Sequence, residues 1–314
     1  MNKIALVTFV SVVAVSCGTW SNEDLQYLSA LPTKDQLTTK LPTATAGGLS
    51  GEGTRRDALG LGEPSQLYKD TKGASNDFNG IVDGFISVID FVRSFPPSTR
   101  TDNSRIWGPY EDKQNQPGFE LQVVITKVDP KNFAIQIQYR KTGTEAFTDV
   151  ITGGFTASST AKKGQGALTW DLKGARALGL KGDETAKTLE KLELGYITDM
   201  FPIQVNMVFT LIPGQAVSKL DYGYLELANK SGRIGFRTLQ ADPNVTQLDT
   251  VSQWLASGAG NGVYTVVEGN YKGATHVECW DAAFKTVFVN ETWPGGAKLG
   301  DPKDCVTVDG FPLP

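Results

Sequence analysis

The chain has 314 residues, with 30 Lys and Arg against 34 Asp and Glu and a net charge of −4. That balance excludes the basic excess or cluster that binding nucleic acid through its phosphates requires, so no nucleic-acid partner is expected. Abundant glycine, 34 residues, and a charged fraction of only 20% suit many tight turns between strands.

The first residues, MNKIALVTFVSVVAVSC, set Lys3 before a mostly apolar run over 4–15, with small residues leading up to Cys17. A spanning helix needs about 20 apolar residues, and this run is shorter. The order of basic start, apolar middle and small-residue end is that of an export signal, here 1–16. No later segment sustains an apolar run of spanning length. Ala14-Val15-Ser16-Cys17 resembles the lipobox of bacterial lipoproteins, with Ala14 standing where Leu or Val is usual. The resemblance implies cleavage before Cys17, acylation of its thiol and a membrane partner reached through that lipid. Gly18 in place of Asp implies passage to the outer membrane, on its periplasmic or its surface side. Ordinary cleavage after a small residue, leaving Cys17 unmodified, is the alternative. Two or more acyl chains anchor stably, where one is marginal.

Downstream, TTKLPTATAGGLSGEGTRR has little apolar periodicity. Residues 17–72 therefore read as a lipid-anchored flexible tether, holding the folded part away from the membrane. Within it a short helix is expected over 22–31, and 35–41 is a segment that can dock on the domain. A single β-rich domain is expected over 73–314. It opens with SNDFNGIVDGFISVIDFVRSFPP, which places Phe78, Ile81, Val82, Phe85, Ile89 and Val92 at spacings of three and four. Asn79, Asp83, Ser87, Asp90 and Ser94 fall on the opposite stripe, so the spacing predicts an amphipathic helix over 75–95. Ser75 is its expected cap, and Pro96-Pro97 ends it. Gly80 and Gly84 each cost a helix about 1 kcal/mol relative to Ala and read as room for close approach to a sheet. The polar face lacks the Lys and Arg that membrane-surface helices favour, so packing on a sheet is the reading adopted.

Strands follow from about 105 to 292. Phe133, Ile135, Ile137 and Tyr139 alternate with polar neighbours, as do Leu121, Val123 and Ile125, and Ile203, Val205, Met207, Phe209 and Leu211. One buried and one polar face is the habit of antiparallel sheets. Turn signals such as Asp129-Pro130, Thr142-Gly143, Pro213-Gly214, Asn229-Lys230-Ser231-Gly232 and Gly260-Asn261-Gly262 divide ten to twelve strands, with a helical insertion over 174–189. The fold class is mainly β: an antiparallel up-and-down meander closing into a barrel or a strongly bent half-barrel, or splitting into a sandwich. A membrane-spanning barrel would show the same alternation, but the N-terminal anchor and the helix speak against it.

Three cysteines occur. With Cys17 given to lipid, Cys279 and Cys305 form a disulfide in an oxidising compartment, worth roughly 3 kcal/mol and stapling the tail 298–314. Two buried free thiols are the alternative. The absence of a CxxC pair argues against a thiolate zinc site.

Catalytic equipment is sparse. The one histidine, His276, shares a strand face with Glu278 and reads as a surface histidine without the further ligands a metal site needs. No nucleophile elbow, phosphate loop or dinucleotide fingerprint is present, and no spacing singles out two carboxylates for glycoside hydrolysis. Neither a catalytic residue nor a cofactor is assigned. What remains is aromatic: Trp107, Trp170, Tyr222, Tyr224 and Trp280 are the candidate ligand-binding residues, lining a cavity for an apolar ligand, or else core packing. ECWDAAFKTVF and GALTWDLKGARALG resemble stretches of uncharacterised envelope lipoproteins of Gram-negative bacteria. At fold level the chain is similar to periplasmic lipoprotein-localisation factors, whose half-barrels hold acyl chains, an analogy of architecture alone. The expected function is that of a non-enzymatic, lipid-anchored envelope protein binding a lipid-like ligand or an envelope protein partner. A structural lipoprotein with a filled core is the alternative, and a hydrolase using paired carboxylates a third.

Overall fold

The computed structural model describes residues 19–29, 31–42, 60–113, 115–158, 163–182, 184–215 and 217–309. The signal segment and Cys17 lie outside the described residues. Fifteen strands follow one another in chain order in a single antiparallel meander. The sheet is not closed: β1 (Thr99–Arg100) and β15 (Lys298–Gly300) each have one neighbour. Thirteen strands lie where ten to twelve were expected, and the contacts group into two compact units. No helix among the described residues is long and apolar enough to cross a membrane.

The first unit holds β1, β2 (Ser104–Glu111), β3 (Phe119–Lys127), β4 (Asn132–Lys141), β5 (Thr148–Ala157), β6 (Gly164–Asp171), β7 (Leu189–Ile197) and most of β8 (Ile203–Leu211). Alternation works as the pattern demands. Leu121, Val123 and Ile125 of β3 and Phe133, Ile135, Ile137 and Tyr139 of β4 are buried, while the residues between them are half-exposed. Phe78, Ile81, Val82, Phe85, Ile89 and Val92 are buried on one stripe of a 29-residue helix, Gln66–Ser94, and Phe85 meets Trp170 edge-on at 5.6 Å. Each such side chain contributes about 1.5–3 kcal/mol on full burial.

That helix begins nine residues earlier than its periodicity suggests. Ser75 lies inside it, buried, and the cap is Ser65, whose Oγ accepts from the Tyr68 N–H at 3.1 Å. The start is set by tertiary partners that no local pattern displays. At Gly80 an added Cβ would meet nothing, so close packing does not account for that glycine.

Part of the expected tether is folded. Helix α1 (Asn22–Ser29) and the single turn α2 (Lys34–Leu37) precede the long helix, α3, and Tyr27, Leu31 and Leu37 are buried. Asp24 is fully buried, with Arg105 Nε at 2.6 Å and Arg100 Nη2 at 3.0 Å. Burial pushes the Asp24 carboxyl up, but Arg100, the Ser21 N–H and Arg105 outweigh it and hold it well below the usual carboxylate range. Tyr27 packs on Phe133 at 5.5 Å under the Arg105 guanidinium. Polar composition hid these contacts because the residues that tie the segment down are themselves charged. Residues 43–59 of the expected tether lie outside the described residues. The expected insertion is two short helices, α4 (Leu172–Leu178) and α5 (Glu184–Lys187).

The second unit holds β9 (Lys219–Glu226), β10 (Gly232–Asp242), β11 (Val245–Trp254), β12 (Gly260–Glu268), β13 (Thr275–Trp280), β14 (Thr286–Glu291), β15 and the first turns of α3. Its core joins Leu67 and Tyr68 of α3 to Leu248, Tyr264, Val266, Trp280 and Phe284. Gly260-Asn261-Gly262, read as a turn, lies inside β12. A Cβ at Gly260 would fall 2.5 Å from the Trp280 ring, and one at Gly262 2.6 Å from Leu67 Cδ2. These glycines make room for neighbours, and the turn is instead made at Gly258, with φ of +98°. Cys279 and Cys305 are joined in a disulfide that ties the tail to β13.

Candidate functional site

The five aromatic residues singled out from sequence are all buried. Trp107 donates from Nε1 to the Phe95 carbonyl at 2.7 Å, and Trp170 packs on Phe85. The Tyr222 hydroxyl meets Thr39 Oγ1 at 2.9 Å, while Tyr224 accepts from the Lys40 N–H at 3.2 Å. Trp280 donates to the Gly258 carbonyl at 2.9 Å and packs on Tyr68. None of the five lines the pocket described next.

In a meander, every second hairpin loop reaches the same end of the sheet. In the second unit the β10–β11, β12–β13 and β14–β15 loops come together in this way, around a pocket of about 440 Å³. Asp242 stands at the end of β10 and Asn244 in the loop that follows it, Tyr271 comes from the second loop, and Trp293, Pro294 and Gly295 from the third. Leu248, Tyr264, His276 and Glu291 supply the strand wall, and Gln66 reaches in from the start of α3. Register explains the grouping: Tyr264 pairs with His276, and His276 with Glu291, so one row crosses β12, β13 and β14.

His276 is buried, not a surface residue. Its Nδ1 lies 2.9 Å from Glu291 Oε1, and its Nε2 lies 3.6 Å from Glu278 Oε2. The ring of Trp293 lies nearly parallel to the imidazole at 5.7 Å, and Tyr264 is at 5.3 Å. Burial alone would lower the imidazole pKa. The carboxylates of Glu278 and Glu291 outweigh it, so His276 titrates above its ordinary value.

Glu278 has a second task. Its Oε1 accepts from the Gln66 N–H at 3.2 Å and from Thr286 Oγ1 at 2.6 Å, and its Oε2 accepts from the Leu67 N–H at 2.8 Å. A fully buried carboxylate thus satisfies the first free amides of α3, where the helix dipole favours negative charge. Burial raises its pKa, but His276, Thr286 and the Leu67 amide outweigh that and the net shift is downward. Gly262, next to Glu278 in the register, lets the helix start land there. The row continues outward to Asp70, whose Oδ2 accepts from the Tyr264 hydroxyl at 2.8 Å and whose Oδ1 accepts from Gln66 Nε2 at 2.9 Å.

The lining therefore combines the rings of Tyr264, Tyr271 and Trp293, the imidazole of His276, the aliphatic Val245 and Leu248, and the acids Asp242 and Glu291, with no Lys or Arg. It suits a compact molecule with an apolar face and hydrogen-bonding groups, neutral or cationic; a free carboxylate or phosphate would meet like charge. Among the described residues no group of three or more His, Cys, Asp or Glu is placed to hold a metal ion. Sequence reading noticed the shared face of His276 and Glu278 but missed Gln66, Tyr264, Tyr271, Glu291 and Trp293. The available signal was the register of three consecutive hairpins. Comparison of the chain with family models, with curated proteins and with solved structures finds no match.

Proposed function

We propose that this is an exported envelope protein, held at the outer membrane by lipid on Cys17, that binds a small amphipathic molecule in the pocket over His276 without transforming it. The observation that carries the binding role is the pocket itself: about 440 Å³ walled by Tyr264, Tyr271 and Trp293. This falls within the roughly 300–1,000 Å³ typical of small-molecule sites. The walls rest on buried groups already hydrogen-bonded to one another, so they are preorganised, which lowers the cost of binding. Strong bending of the sheet into a half-barrel belongs to the same reading, because so many strands in an open sheet do not stay flat.

A second reading, a structural envelope lipoprotein with a filled core and no ligand, is favoured by the burial of Trp107, Trp170, Tyr222, Tyr224 and Trp280. Native mass spectrometry of protein purified from its own envelope separates the two. A retained small mass, lost in Trp293→Ala, is the result expected for binding. A bare chain in repeated preparations would sink the binding role and leave the structural one. For the anchor, Cys17→Ser should release the protein from membranes; membrane retention and processing unchanged from the native protein would overturn it.

A further inference from the structure

Four large apolar side chains of the first unit are exposed: Trp20 at 37%, Leu25 at 51%, Val128 at 68% and Met200 at 63%. They are far apart in sequence, yet the meander collects them. Val128 lies in the loop joining β3 to β4, and Met200 in the loop joining β7 to β8, so both stand at the same end of the strands. Helix α1, which carries Leu25, is fixed at that end too. Lys127 Nζ donates to Gln26 Oε1 at 3.0 Å, and Arg105 and Arg100 hold Asp24 from either side of the β1–β2 turn. The opposite end of this unit carries no large exposed apolar side chain among the described residues.

The chain's entry point is at the same end. Arg100 Nη2 donates to the Thr19 carbonyl at 3.0 Å, fixing the backbone two residues after Cys17. Two residues span at most about 7 Å. A lipid on Cys17 would therefore bring this end of the unit to the bilayer with almost no slack, in place of the long tether read from composition. With strands about 4.8 Å apart, Val128 and Met200 are separated by up to about 19 Å across the sheet, wide enough to steady the unit rather than pin it at one point.

We infer that this end is a membrane-docking face, on which Trp20, Leu25, Val128 and Met200 enter the interface of the bilayer that holds the acyl chains. The inference rests on the lipid-anchor reading. Charges beside the four come in both signs, Arg100 and Lys131 against Asp102, Asp129 and Asp199. Docking is thus apolar in origin and needs no anionic lipid.

The test uses the full chain purified from its own envelope and placed in phosphatidylcholine vesicles containing lipids with a quencher on the acyl chain. Val128→Cys, Met200→Cys and, at the opposite end, the exposed Thr142→Cys each take an environment-sensitive dye; the native disulfide leaves the introduced thiol free. Quenching several-fold stronger at residues 128 and 200 than at 142 is the expected result. Equal quenching at all three in a protein whose intact mass includes acyl chains overturns the docking face alone. An intact mass without acyl chains overturns the anchor reading, and the docking inference falls with it.

Discussion

Replacing Glu278 by Gln tests the buried array most directly. The change keeps the shape and removes the charge. Gln can present its carbonyl oxygen to the Gln66 amide and Thr286, as Oε1 now does, but its amide nitrogen then faces the Leu67 N–H and His276. A charge-assisted hydrogen bond is lost, worth about 1.5–3 kcal/mol. The helix terminus loses its anion, about 0.3–2 kcal/mol depending on burial. Together these come to about 2–5 kcal/mol, overlapping the about 3–5 kcal/mol typical of breaking a buried ion pair from one side. Native-state hydrogen exchange read at the amides of Gln66, Leu67 and Tyr68 and along β13 isolates the second unit from the rest of the chain. The pH profile sharpens the test. The folded pKa of Glu278 lies below its ordinary 4.5, so its contribution is present above that value and fades as pH falls through the folded pKa. His276 is shifted upward, so its contribution is complete below its ordinary 6.5 and fades as pH rises through the folded pKa. The second unit should be most protected between those values, and Glu278→Gln should lose both the protection and much of the profile. A loss under about 1 kcal/mol with an unchanged profile would refute the assignment of charge to this array.

Asp24→Asn should cost the first unit about 2–3 kcal/mol through its charged hydrogen bonds to Arg100 and Arg105, measured by exchange in α1 and β2. It should also flatten the acid side of that unit's stability, because a depressed carboxylate contributes above its ordinary 3.8 and loses that contribution as pH falls. Two glycines should respond oppositely to Ala. Gly80→Ala, into open space, should stabilise α3 by up to about 1 kcal/mol. Gly262→Ala, against Leu67 and the Val251 carbonyl, should cost about 1–3 kcal/mol in denaturant titrations. Cys305→Ser should lower stability by roughly 3 kcal/mol and raise protease sensitivity after β15, and the native protein under reductant should behave alike.

What the sequence disclosed was whatever has a period. Phe133 to Tyr139 and Phe78 to Val92 announce their faces because burial repeats every two or about 3.6 residues. Features that depend on a distant partner were illegible. Ser65 looks like any loop serine until Glu278, far along the chain, is seen accepting from the amides just after it. Asn261 between glycines looks like a turn, yet it is buried, accepts from Gln253 Nε2 and donates to the Val306 carbonyl in the stapled tail. The pocket needed register. Tyr264, His276 and Glu291 belong to three strands, and no local window holds them together.

The misread histidine bears on the binding role. A hydrophobic row of similar volume across β12, β13 and β14 would fold at least as stably, since buried ion pairs commonly lose to apolar replacements. An imidazole held between Glu278 and Glu291 and lying against Trp293 instead fixes the orientation of two residues that line the pocket, His276 and Trp293. It also links that wall, through Glu278, to the first turn of α3 and so to Gln66 at the pocket's edge. Local rules of burial are broken at the same place where the loops of three hairpins leave a cavity. Such a coincidence is expected where a site has to be held rigid, and not where a sheet merely has to be covered.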